Sequence, residues 1–163
     1  MTMTYLISMK SKDPSSRVGA VIVGPDKEVR STGYNGLPRS VDDIPSRYDD
    51  REYKLYAINH AEENAIIHCA RTGTSTKDCT LYTHWFPCSA CAKSIIQAGI
   101  IEVVHDKHHP SHSVEQQGPW QRSLEISREL LLEANVQIRE FDGELIKIRG
   151  LYREAQYDPF ARS

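Results

Sequence analysis

Long hydrophobic runs are missing from this 163-residue chain. Nothing in it approaches the roughly 18 consecutive apolar residues that read as a membrane span. An excess of charge of one sign is missing too, since 20 Lys and Arg face 22 Asp and Glu. That balance, with no basic stripe carrying interleaved aromatics, speaks against a nucleic acid polymer as partner but leaves room for a local phosphate pocket. Nine Gly and eight Pro are too few for a collagen-like or disordered chain, and 39% hydrophobic residues suffice for one core. The expectation is a single domain over residues 1–163. Cysteine is scarce: Cys69, Cys79, Cys88 and Cys91 have the wrong spacing for a secreted disulfide scaffold. The opening MTMTYLISMK has no early charged region and no small-residue cleavage site, so no signal peptide is expected. These absences together predict a soluble, cytoplasmic protein.

What is present reads as alternating elements. Residues 1–10 carry a weak helical pattern ending at Lys12-Asp13-Pro14. Residues 18–23 form a continuous β-branched run stopped by Gly24-Pro25-Asp26, and 29–33 make a hairpin with it. Residues 39–56 are polar and read as a long irregular loop, which in a compact domain is more often functional than idle. A helix over 61–71 ends at Thr72-Gly73, a strand follows at 79–84, and a helix over 87–98 is closed by Gly99. A strand at 101–105, an extended loop at 106–119, a helix at 123–134 and a strand at 136–141 complete the pattern. Beyond Gly143 lies a charged tail, residues 143–163, expected to dock loosely or on a neighbour. A hairpin followed by alternating helix and strand predicts an α/β fold with a central mixed sheet.

Two helix starts carry chemistry. His60-Ala61-Glu62 stands at one and Pro87-Cys88-Ser89-Ala90-Cys91 at the next. A catalytic zinc takes three protein ligands and keeps a fourth position open. His60, Cys88 and Cys91 supply that count, with the two cysteines three apart on one side of a helix start. A helix N-terminus favours the thiolate form that binds metal. Glu62 is near enough to reach a water at the open position without being a ligand. A lone C-x-x-C is usually half of a structural zinc site or a redox pair, and a lone H-x-E a solvated helix start. Their conjunction, H-x-E followed by P-C-x-x-C, is the pattern of zinc-dependent nucleobase deaminases.

At these residues the chain resembles the deoxycytidylate (dCMP) deaminases of the cytidine deaminase-like superfamily. The resemblance covers about residues 5–141. It extends to Ser11-Lys-Asp-Pro-Ser-Ser-Arg-Val-Gly-Ala20, Gly33-Tyr-Asn-Gly36 with Pro38, His60-Ala-Glu-Glu-Asn-Ala-Ile66, Phe86-Pro-Cys88, Ala92-Lys93 and Ile96-Gln-Ala-Gly-Ile100. It implies a three-layer α/β/α fold around a five-stranded mixed sheet. It also implies hydrolytic deamination of dCMP to dUMP, with Zn2+ held by His60, Cys88 and Cys91. Water attacks C4 of cytosine, while Glu62 takes a proton, delivers it to N3 and later protonates departing ammonia. By the same resemblance, the Ala61 backbone NH contacts the pyrimidine O2 and Asn35 the sugar. On residues alone, Asn35 is equally a turn residue.

The phosphate is expected on Arg17 and on the segment bearing His112 and Trp120. Read without the family, Arg17 is a solvated strand-edge arginine and Trp120 a packing residue. The 106–119 loop is longer than in many relatives and has His108 where Tyr is common, so a longer phosphate chain is a possible occupant. The resemblance further implies activation by dCTP and inhibition by dTTP at a separate site matched by Tyr34, Gly36, His68 and Arg71. A bound nucleoside triphosphate would bring Mg2+, and a homo-oligomer, with a hexamer favoured, is expected. Arg71 alone is also a helix C-terminal cation needing no ligand. The competing readings are a bifunctional deaminase that also accepts dCTP and a non-catalytic nucleotide-binding zinc module. Glu62 argues against the second, because a structural metal site has no use for that carboxylate.

Overall fold

The computed structural model describes residues 1–110 and 120–147, together with the backbone of 150–152 and 155–157. Helix α1 (Thr2–Ser8) precedes the hairpin β1 (Gly19–Val23) and β2 (Val29–Tyr34). Helices α2 (Ser46–Asp49) and α3 (Arg51–Ala57) lead into α4 (Ala61–Thr72). There follow β3 (Thr80–Thr83), α5 (Ser89–Gln97), β4 (Glu102–Asp106), α6 (Gln121–Glu133) and β5 (Gln137–Phe141). The strands form one five-stranded sheet in the order β2-β1-β3-β4-β5. β1 is antiparallel to both β2 and β3, whereas β3, β4 and β5 run parallel. The expected α/β fold with a mixed central sheet is therefore the observed one.

Alternation along β1 assigns the layers. Ala20 and Ile22 point into a core shared with Ala65 and Cys69 of α4, Leu81 of β3, Ile95 of α5, Val103 of β4 and Leu131 of α6. Gly19 points the other way, where a Cβ would lie 2.1 Å from the Thr4 carbonyl oxygen of α1. Helices thus cover both faces. Gly33 serves the opposite face in the same manner: a Cβ there would sit 2.1 Å from the Ala61 carbonyl oxygen and 2.5 Å from the Ala65 nitrogen. Only a residue without a side chain lets the first turn of α4 lie directly on β2, and that contact seats His60 and Glu62.

One expectation is corrected. Residues 39–56 are not an irregular loop throughout, because α2 and α3 occupy most of their second half. With 4 and 7 residues these helices are too short to show a hydrophobic period. Polar contacts fix them instead: the Asp50 side chain accepts from the Tyr53 backbone NH, and buried Tyr48 bonds to Asp43 through its hydroxyl. Within the charged tail, β6 (Gly150–Tyr152) and β7 (Ala155–Tyr157) pair antiparallel. His112 lies outside the described residues.

Candidate active site

His60 and Cys88 are the N-cap residues of α4 and α5, each with extended backbone and no side-chain capping bond. At most helix starts that position carries a Ser, Thr, Asp or Asn whose oxygen caps the helix. Here both side chains are released from capping and turned toward each other. His60 Nδ1 lies 3.4 Å from the Cys88 sulfur and 3.4 Å from the Cys91 sulfur. Ser123 of α6 makes up for the missing cap on α5, and Ser127 ties down the residue before it. The Ser89 backbone NH donates to Ser123 Oγ at 3.1 Å, and Ser127 Oγ donates to the Pro87 carbonyl at 2.7 Å.

The three donors fit a zinc ion. Zinc bonds of about 2.0–2.1 Å to nitrogen and about 2.3 Å to sulfur place tetrahedral donors about 3.5 Å apart. The observed spacing matches, and the three ligand atoms all lie within 4.8 Å of one another. Electrostatics agree with the donor set. Cys88 is pulled down to about 4, first by a hydrogen bond from Cys91 and then by His60, against its burial. His60 is pushed up to about 9, chiefly by its hydrogen bond with Cys88. Cys91 is raised, first by its bond to Cys88 and then by burial. A thiolate is thus already favoured, and a divalent cation would displace the remaining protons.

Glu62 is 4% exposed, and burial raises its pKa, with the His60 charge opposing. It lines a cavity of about 510 Å³ together with His60, Ala61 and Cys88. That size is typical of a small-molecule site. Trp85, Phe86, Trp120, Leu124, Leu55 and Ile58 supply its apolar walls. The Trp120 ring centroid is 6.2 Å from that of His60.

Asn35 also lines the cavity, and it is firmly held. Its Oδ1 accepts from the Val18 NH at 2.8 Å, while its Nδ2 donates to the Ser16 carbonyl at 2.9 Å and to Asp13 Oδ2 at 3.3 Å. Arg17 does not line the cavity, and its Nε donates to the Asp13 carbonyl at 3.2 Å. The four residues matched to an effector site lie outside the cavity as well. Gly36 exchanges backbone hydrogen bonds with Asn59, which fixes the approach to His60. His68 Nδ1 lies 2.8 Å from the Thr32 carbonyl oxygen, the Tyr34 ring lies under Lys10, and Arg71 is exposed in the last turn of α4.

Sequence reasoning missed a polar group on the cavity wall. Asp13, 1% exposed, accepts from the backbone NH of Ser15 and Ser16 and pairs with Lys54 Nζ of α3 at 2.7 Å. Lys54 also donates to Ser15 Oγ at 2.6 Å. The only available signal was Asp-Pro-Ser-Ser, which marks a turn in which Asp folds back onto the following amides.

Comparison with known proteins agrees with this geometry. Residues 1–106 match the family described as the cytidine and deoxycytidylate deaminase zinc-binding region. Human deoxycytidylate deaminase is 42% identical over 118 residues, covering 68% of this chain. The match spans 65% of the human protein's length, just under two thirds. An uncharacterized deaminase of Aliivibrio fischeri is 34% identical over 145 residues, 89% of this chain and 92% of its own. The dCMP deaminase of cyanophage S-TIM5, solved in complex with dCMP and dUMP, shares the fold. It has a TM-score of 0.65 and 22% identity, covering 85% of this chain and 91% of that one. By motif, site and family match, this chain belongs to the cytidine and deoxycytidylate deaminase family.

Proposed function

We propose that the protein is a single-domain enzyme that deaminates dCMP hydrolytically to dUMP and ammonia. The observation that carries this reading is a buried carboxylate, Glu62, beside a three-donor metal cluster on the wall of a ligand-sized cavity. His60, Cys88 and Cys91 would hold Zn2+, which when bound lowers the pKa of water toward neutrality and so makes a nucleophile available. The chain's own groups do the rest. Glu62, its carboxyl raised by burial, moves two protons in turn: it takes one from the attacking water and gives it to N3, then takes the proton of the new C4 hydroxyl as the carbonyl forms and gives it to the leaving amine. The Ala61 backbone NH and Asn35 orient the base and sugar. Trp85, Phe86 and Trp120 keep bulk water from the ring.

The protein would act in the cytoplasm as a homo-oligomer, with a hexamer favoured. Tyr34, Gly36, His68 and Arg71 would form a second nucleotide site that takes dCTP, with its Mg2+, as activator and dTTP as inhibitor. The test is ammonia release by the zinc-loaded protein from dCMP, dCTP, CMP and deoxycytidine, each with and without dCTP or dTTP. Preferred turnover of dCMP, raised by dCTP and lowered by dTTP, is expected. Release from none of the four overturns the reading, and preferred release from dCTP replaces dCMP as the substrate.

A further inference from the structure

The cavity wall bears two cationic side chains besides His60, Arg51 and Lys54, both from α3. Their situations differ. Lys54 is taken up: its ammonium pairs with buried Asp13 at 2.7 Å and donates to Ser15 at 2.6 Å, and its own exposure is 19%. Arg51 stands three residues earlier on the same helix, so the two side chains leave one face together. Arg51 is exposed and makes no hydrogen bond or ion pair among the described residues. The Ser16 hydroxyl, also on the cavity wall, has no hydrogen-bond partner among them either. Asp13, the buried carboxylate on the same stretch of wall, is already paired with Lys54. Among the described residues, that leaves one unpaired guanidinium and one free hydroxyl on the wall of the cavity that Glu62 also lines.

We propose that Arg51 reads the 5′-phosphate of the nucleotide, with the Ser16 hydroxyl as a second donor and Lys54 as the positioning residue that holds α3 against the 13–16 turn. This rests on the reading of the cavity as a deoxycytidine nucleotide site. A guanidinium presents a planar fork that matches two phosphate oxygens, and it stays charged at every relevant pH. The arrangement accounts for the short helices ahead of α4: they carry a cation to the cavity that the sheet and the two metal-bearing helices do not supply. It also moves phosphate recognition from Arg17, whose Nε is engaged with the Asp13 carbonyl, to a side chain with no other partner among the described residues.

The test compares nucleotide with nucleoside in wild type, Arg51→Ala and Arg51→Lys. kcat/KM is measured for dCMP and deoxycytidine, and calorimetric binding for the products dUMP and deoxyuridine. Arg51→Ala should lower kcat/KM for dCMP about 10- to 100-fold more than for deoxycytidine, the loss of a charge-assisted hydrogen bond. The change should fall mainly in KM, and Arg51→Lys should restore part of it because charge returns without the fork. Arg51 is exposed, so matched thermal melts are expected in all three proteins. An unchanged dCMP-to-deoxycytidine ratio in Arg51→Ala, or a wild type that binds dUMP no more tightly than deoxyuridine, overturns the inference. A wild type that binds dUMP through Arg51 yet releases no ammonia from dCMP supports this inference and overturns the proposed activity.

Discussion

At the metal end of the cavity, His60, Cys88 and Cys91 project from the starts of two helices whose inner faces, including Ala61, Ala65, Ala92 and Ile95, are fully buried. At the other group of wall residues, Asp13, Asn35 and Lys54 come from three separate segments and are joined by polar contacts. The first construction is rigid because close packing backs it, and each donor is placed by its own helix start. The second is a buried network in which each member satisfies another, so removing one leaves a partner uncompensated. Chemistry that needs ångström precision is placed on the packed end. In the proposed reading, recognition of the sugar and phosphate falls to the networked one.

The largest effect should come from separating metal binding from proton transfer at the packed end. Glu62→Gln keeps the shape and the three metal donors but can no longer accept a proton. Turnover of dCMP should fall by about 10²–10⁴-fold or more, since one group serves several transfers. Zinc content, read by atomic absorption, should stay at one per chain. Cys88→Ala should lower zinc content and turnover together. Full activity in zinc-replete Glu62→Gln, or full zinc in Cys88→Ala, would break the assignment of roles.

The same contrast governs what could be read from sequence. His60-Ala61-Glu62 and Cys88-x-x-Cys91 are local patterns, each contained within the cap and first turn of one helix. The strands were legible because 18–23 is a β-branched run between turn residues, and the C-terminal end of α4 because Gly73 follows it. The Asp13–Lys54 pair joins residues 41 apart in the chain. Its helix is only 7 residues long and has no buried residue, so it lacks the apolar period that marks a helix in sequence. Nor could the sequence reveal that Ser123 and Ser127 of α6 bond to the start of α5, contacts between residues 34 and 40 apart in the chain.

A smaller effect should come from the networked end. Lys54→Met removes the partner of a buried carboxylate while keeping the aliphatic stem. Lys54 is partly exposed, so the loss should be about 2 kcal/mol, within the range for hydrogen bonds to charged groups. Urea unfolding at neutral pH measures it. Zinc content should be unaffected, because no metal donor lies on α3. A variant as stable as wild type would mean that water replaces the ammonium without cost, and the wall is then less closed than its burial indicates.

The smallest and most discriminating effect is the pH dependence of that loss. Burial pushes Asp13 upward, but hydrogen bonds from Lys54 and from the Ser15 and Ser16 amides outweigh it and leave the carboxyl below its ordinary 3.8. A depressed folded-state pKa contributes stability that is fully present above 3.8 and is lost as the pH falls below it through the folded value. Without Lys54 the balance shifts toward burial and the Asp13 pKa rises. Protonation then begins at higher pH in the folded variant, and the neutral acid no longer carries the cost of a buried unpaired charge. The stability deficit of Lys54→Met should therefore be greatest near neutrality and shrink as the pH is lowered toward 3.8 and below. Urea midpoints at several pH values for both proteins give the comparison directly. A deficit constant across that range would show that Lys54 contributes through the packing of its stem rather than through its charge on Asp13.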